Sequence, residues 1–178
     1  VPVLESVEWH QNQQNLGVWK NWRAALSRLV ASSAPLLAIT QDDIQVCGNL
    51  QAYVTRAVTS ITGKHLLSPY TSTPDAIRSG YSSGWRDIYP GWNYIGACFW
   101  CFDREMGVWL DEHLPQEVEH NRCVDAQVGK ALLTQQIPIF IHLPSLVEHL
   151  GDECSTAGHA PNPKTRRGYD YIQSALPP

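Results

Sequence analysis

The sequence predicts a single α/β domain with a mixed, mostly parallel sheet flanked by helices. Three observations carry that expectation. Helical and extended patterns alternate along the chain. The run "LLAIT" (Leu36 to Thr40) is apolar without polar alternation, as in a central strand covered on both faces. Two adjacent carboxylates, Asp42 and Asp43, close that run, at the strand end where open α/β sheets bind ligands.

The elements follow in order. "VPVLESVEW" opens with β-branched residues and reads as a short strand or an extended entry. His10 to Gly17 is a polar loop rich in amides. In "VWKNWRAALSRLVASS", Trp19, Trp22, Leu26 and Leu29 recur three or four apart, so one helical face is apolar. Ser32, Ser33 and Pro35 stop that helix. A second helix is expected from about Gly48 to Ser60. "TGKHLLSPYTSTPDAIRSGYSSGW" is rich in Gly, Pro, Ser and Thr and reads as an ordered, irregular segment. "WNYIGACFWCF" supplies a strand, and "DREMGVWLDEHL" a helix capped by Asp103. "NRCVDAQVGKALLTQ" is a further helix, with Val124, Val128, Ala131 and Leu132 inward and Asp125 in its first turns. "IPIFIHLPSLVEHLG" is extended, broken at Pro138 and Pro144. Residues 1–151 form the domain, and 152–178 a tail or lid.

Composition narrows the function classes. Apolar residues make up 43% of the 178 and charged residues 17%, which suits a globular chain with a sizeable core. A formal net charge of -4 gives no global basic footprint for a nucleic-acid backbone. The dense basic run "KTRRG" (Lys164 to Gly168) reads as a solvated tail. Five cysteines in no framework-like spacing speak for a reducing, cytoplasmic setting. "CFWC" lies in an apolar strand-like run, where neither a helix start nor a cation would activate a thiol, so its cysteines read as small core residues. No membrane-spanning run is visible. Seven tryptophans suggest an aromatic core or flat surfaces for a ring-shaped ligand.

Adjacent carboxylates repel, and burying them bare is costly. A divalent cation compensates them, and oxygen ligands suit Mg²⁺ or Mn²⁺. Such an ion commonly bridges substrate phosphates, so the pair hints at a nucleotide-bearing substrate. An acidic pair after a strand also serves as an ordinary turn or helix cap. His149, at the end of an extended segment, is placed to turn back toward Asp43. That gives mixed O and N ligation, which Mn²⁺ tolerates better than Mg²⁺. His142 reads as an ordinary hydrogen-bonded histidine.

"NLGVWKNWRAAL", "PLLAITQDDIQV", "YIGACFWCF", "NRCVDAQVGKAL" and "PSLVEHLGDECS", in that order, resemble a glycosyltransferase of the GT-A fold, from about Asn15 to Ser155. "QDDI" combined with "PSLVEHLG" carries most of the resemblance. It implies a Rossmann-like sheet and a hexosyltransferase-type enzyme. That enzyme moves a sugar from a nucleotide diphosphate donor, most simply a UDP-sugar, to an acceptor hydroxyl. It implies that Mn²⁺ or Mg²⁺ sits on Asp43 and His149. Asp42 then faces the sugar or ribose, and Asn21 helps hold the nucleotide. Asp125 looks like the carboxylate that deprotonates the acceptor in inverting members; a helix start favours its ionised form. Glu117 and Glu119 are rivals for that role, and a retaining mechanism needs no such base. Family members open with a strand and loop that hold the base. Relative to that pattern the chain starts late, with "VPVLESVEW" in the place of the next strand.

Further positions complete the expected site. Trp85 is the first choice for an acceptor platform, with Tyr81 and Trp92 behind it. Gly96 leaves room for a sugar to approach the backbone. Arg166 or Arg167 would clamp the diphosphate. The acceptor stays open among a glycan, a protein side chain and a modified DNA base. Two other classes also stay open: a non-catalytic glycan- or nucleic-acid-binding module, and a metal-dependent nucleotidyltransferase or phosphohydrolase.

Overall fold

The computed structural model describes Gln14, Gly80 and residues 16–72, 83–88, 96–118, 124–150 and 168–171. The elements are α1 (Gly17–Ala31), β1 (Leu36–Thr40), β2 (Ile44–Val46), α2 (Leu50–Ser60), β3 (Leu66–Ser68), β4 (Gly84–Ile88), β5 (Phe99–Asp103), α3 (Arg104–His113), α4 (Val124–Thr134), β6 (Ile139–Leu143) and β7 (Val147–His149). The first expected strand, "VPVLESVEW", lies outside the described residues.

Among the described residues five strands form the main sheet in the order β1-β5-β3-β6-β4, and β2 pairs with β7 in a separate ribbon. The expectation of a mostly parallel, Rossmann-like sheet is overturned. Among the described residues only β3 and β6 pair in parallel; β1–β5, β3–β5 and β4–β6 are all antiparallel. "LLAIT" is also not central. It occupies a sheet edge, with Leu36 opposite Asp103 and Thr40 opposite Phe99. Its lack of alternation has a different origin. Leu37 and Ile39 face one core while Leu36 packs into the other, and Ala38 and Thr40 are exposed. An apolar run reports packing on two faces, not the direction of the neighbouring strand.

The sheet divides the interior into two layers. On one side Trp19, Trp22 and Leu26 of α1, Met106, Trp109 and Leu110 of α3, and Val124, Val128 and Leu132 of α4 cover Leu37, Leu66, Trp100, Phe102, Ile139 and Ile141. On the other side α2, through Leu50, Val54 and Ala57, packs with the ribbon residues Cys47, Leu146 and Val147 over Leu67, Phe99 and Cys101. Four of the tryptophans are thus core residues. Trp19 stacks on Trp22 at 5.9 Å between ring centres, and Trp22 meets Trp100 edge-on at 6.0 Å. The "CFWC" cysteines are buried in the other layer, and burial pushes the Cys101 thiol far above its ordinary range.

The start of α3 behaves as its sequence dictates. Asp103 caps α3, its Oδ1 accepting the Met106 N–H at 2.7 Å. Arg23 is less expected: it lies on the inner face of α1, only 4% exposed. Its guanidinium donates to the Asp111 carbonyl and pairs with the Asp111 carboxylate, both at 3.0 Å. Removing one member of such a pair leaves buried polar groups uncompensated. Arg23→Ala is therefore expected to lower stability by about 3 kcal/mol, read from the midpoint of urea unfolding. A loss inside the scatter of surface substitutions would show that water replaces the guanidinium freely.

Candidate functional site

The directions of the strands gather one end of the sheet. Thr40 ends β1, Ser68 ends β3 and Leu143 ends β6, while Phe99 starts β5 and Gly84 starts β4; the pairings place all five at the same end. α4 reaches β6 through a four-residue connection, residues 135–138, so it runs back along that strand. Eleven helical residues span about 16 Å and five strand residues about the same. The first turn of α4, with Asp125, therefore returns to that end. By the same reasoning α1 runs back along β1, and its early turns, with Asn21, come to that end too. Asn21 and Asp125 thus lie toward this end on the side of the sheet covered by α1 and α4, whereas the ribbon that carries His149 packs on the opposite side with α2.

At this end β1 stops with the Gln41 N–H bonded to the Cys98 carbonyl at 2.9 Å. The chain turns through Asp42 and Asp43 into β2. Ile44 faces His149 in the ribbon, and the Leu150 N–H donates to the Asp43 carbonyl at 2.7 Å. That backbone bond aligns the two side chains: His149 Nε2 lies 3.1 Å from Asp43 Oδ2. His149 is buried, while the Asp43 carboxylate is 41% exposed. An acid from early in the chain and an imidazole from late in it meet at one point, as the sequence suggested. Asp42, beside them, is exposed.

The donor set fits a hard or borderline divalent ion. Asp43 and His149 form an ion pair at 3.1 Å, a spacing that two neighbouring ligands of one ion would also have. One carboxylate oxygen and one imidazole nitrogen suit Mn²⁺. Among the described residues, no group of three or more His, Cys, Asp or Glu side chains is arranged to hold a metal. An ion at this pair would therefore take its remaining ligands from elsewhere, and phosphate oxygens and water are the usual ones.

Asp125 occupies the first turn of α4. Its Oδ1 accepts the Ala126 N–H at 3.0 Å. Burial raises its pKa above the ordinary carboxylate range, and the backbone N–H groups only partly oppose that shift. The helix start alone suggested a carboxylate that ionises readily; desolvation outweighs it. Glu117 is exposed and pairs with Lys20 at 3.1 Å. Glu119 lies outside the described residues.

Asn21 is exposed on α1. Trp85 is half-buried on β4, directly opposite His142 of β6, and its ring meets the His142 ring edge-on at 5.1 Å. Tyr53 of α2 approaches the same imidazole at 5.5 Å. A carbonyl only accepts, so the 2.8 Å contact of His142 Nδ1 with the Pro144 carbonyl puts a proton on that nitrogen. Burial also lowers the His142 pKa and favours the neutral ring. The sequence offered His142 no special role; the cross-strand register with Trp85 is the signal that joins them, and it is readable only once the strands are paired. At Gly96 the absent side chain makes room for Tyr70, whose Cε1 would lie 3.0 Å from a Cβ there. Tyr81, Trp92, Arg166 and Arg167 lie outside the described residues.

No helix among the described residues is long and apolar enough to cross a membrane. No protein-family model matches the chain, and no curated protein matches its sequence.

Proposed function

We propose that the chain is a metal-dependent glycosyltransferase that takes its sugar from a nucleotide diphosphate donor, most simply a UDP-sugar. One observation carries this reading: Asp43 and His149, from early and late in the chain, meet as a partly exposed 3.1 Å ion pair able to share one ion. The resemblance of "QDDI" and "PSLVEHLG" to GT-A glycosyltransferases supports it. Asp43 and His149 would hold Mn²⁺ or Mg²⁺. When bound, the ion supplies positive charge against the charge that gathers on the departing diphosphate.

The remaining roles fall to the chain itself. The Leu150 N–H on the Asp43 carbonyl keeps the acid beside the imidazole. Asp42 is exposed for contact with the sugar or ribose. Asp125 acts as general base. As the acceptor oxygen attacks the anomeric carbon, the acceptor proton passes to the Asp125 carboxylate and the bond to the diphosphate oxygen breaks. A raised pKa makes this carboxylate a stronger base than an exposed aspartate. Trp85, partly exposed on the side of the sheet that carries α2 and the ribbon, would offer the acceptor an aromatic surface. The acceptor itself belongs to the classes of glycan, protein side chain or modified base.

Incubation with Mn²⁺ and a panel of nucleotide sugars tests the reaction. The expected outcome is release of a nucleoside diphosphate matched by sugar on an acceptor or in water. Release of pyrophosphate or inorganic phosphate would instead mark a nucleotidyltransferase or phosphohydrolase. Binding without turnover of any donor would mark a non-catalytic module and overturn the proposal.

A further inference from the structure

We infer that Gly168–Tyr171 is a positioning strap for His149, acting through Glu148 and Val147 of β7. The inference rests on the reading of Asp43 and His149 as the ion's ligands. β7 pairs with β2 over only three residues, in a two-stranded ribbon separate from the main sheet. So short a ribbon is marginal on its own, whereas a ligand set must be held to within about 0.5 Å of its productive geometry. Another contact has to fix the strand.

Residues 168–171 supply it. The Gly168 N–H donates to Glu148 Oε1 at 3.0 Å. Glu148 and His149 are successive residues of a strand, so they leave β7 on opposite faces. The strap thus grips the face that His149 does not use. Its backbone is seated on both sides. The Tyr169 N–H donates to the Thr71 carbonyl at 2.8 Å, and the Ser145 N–H donates to the Tyr169 carbonyl at 2.8 Å. Gly168 also bridges antiparallel to Ser72, just beyond β3. Tyr171 packs on the layer that holds Cys47, Leu146 and Val147.

Position 168 admits no side chain in this arrangement. A Cβ there would stand 2.4 Å from the Val147 carbonyl oxygen and 3.0 Å from Ser145 Oγ. The first of these is backbone of β7 itself, so an added methyl must displace either the strap or the strand. The same carbonyl accepts the Ser145 hydroxyl at 2.6 Å, and that hydroxyl accepts the Thr71 N–H at 3.1 Å. Glycine, the Ser145 hydroxyl and the Glu148 carboxylate together tie β7 to the extension of β3, two residues or fewer from His149.

The test uses the whole chain, three variants and two readouts. Gly168→Ala and Glu148→Ala are expected to weaken Mn²⁺ binding about tenfold, the lower range for outer residues that orient a ligand. Binding is followed by the loss of the free Mn²⁺ resonance in the presence of UDP. Glu148→Gln keeps an oxygen that accepts the Gly168 N–H and should bind Mn²⁺ as the parent does. The second readout needs no metal. Hydrogen exchange at the Leu150 amide, which closes on Asp43, should quicken in the two disruptive variants while β6 amides keep their rates. Wild-type-like exchange at Leu150 in folded Gly168→Ala and Glu148→Ala would overturn the strap. So would a loss in Glu148→Gln equal to that in Glu148→Ala. Failure of the parent chain to take up Mn²⁺ would strike the metal reading instead, and the exchange data would still decide the strap.

Discussion

Asp43→Asn is expected to abolish the joint stabilisation of the protein by Mn²⁺ and UDP while leaving the free protein folded. At free ligand about 100-fold above its dissociation constant, the parent gains about 2.7 kcal/mol, which for a chain of this size raises the melting temperature by about 5–10 °C. Asparagine matches aspartate in shape and keeps an oxygen beside His149, so the ribbon has no steric reason to rearrange. It lacks the charge that offsets a divalent ion next to a diphosphate. The stability of the free protein should move by less than about 1 kcal/mol, because the Asp43 carboxylate is 41% exposed and its pairing with His149 is screened by water. His149→Ala should remove the joint shift as well. Either Mn²⁺ or UDP alone should give much less than both together, since each completes the site of the other. A full shift in Asp43→Asn would remove the carboxylate from the ion. No joint shift in a folded parent chain, across nucleoside diphosphates, would remove the ion itself.

The meeting of Asp43 with His149 was legible because two local signals, far apart in the chain, each called for a partner. An acidic pair after an apolar strand wanted a partner, and a histidine before a glycine ended the last extended stretch. Neither signal depends on strand direction, so Asp43 and His149 meet although the sheet is not the expected one. Direction is set by which strands fill the gaps between earlier ones. β5 lies between β1 and β3 and runs against both, and nothing in "FWCF" or "LLAIT" encodes that choice. β3 shows the opposite failure. Three buried residues, Leu66–Ser68, lie at the centre of the sheet, inside a stretch whose glycines, prolines and serines read as irregular. So short a strand is below the length at which any periodicity registers. The helices were easier. Caps and apolar spacing act within one or two turns, and Asp103, Trp19, Trp22 and Val128 behave as local rules require. Arg23 is the exception, because its partner Asp111 lies on another helix.

Asp125→Asn is expected to separate catalysis from stability in opposite directions. Loss of a general base should lower turnover by about 10²- to 10⁴-fold, with the joint shift by Mn²⁺ and UDP intact, since Asp125 is no part of the ion's ligand set. Stability should rise. The pKa of Asp125 is raised by burial. Well below the ordinary carboxylate value of about 3.9, folded and unfolded chains both hold the proton and the residue favours neither. As pH rises past that value the unfolded chain ionises first, so the folded state loses ground until pH exceeds the raised folded value. An asparagine does not titrate and avoids that loss, and its side-chain oxygen still accepts the Ala126 N–H that Asp125 Oδ1 accepts at 3.0 Å. Urea unfolding at about pH 4 and at pH 7 checks the sign, because the advantage of Asp125→Asn over the parent should be larger at pH 7. A variant that is both inactive and less stable at both pH values would make Asp125 a structural residue of the helix start. Full turnover in Asp125→Asn would shift the proton to another carboxylate or to a retaining mechanism, in which no acceptor base is required at this position.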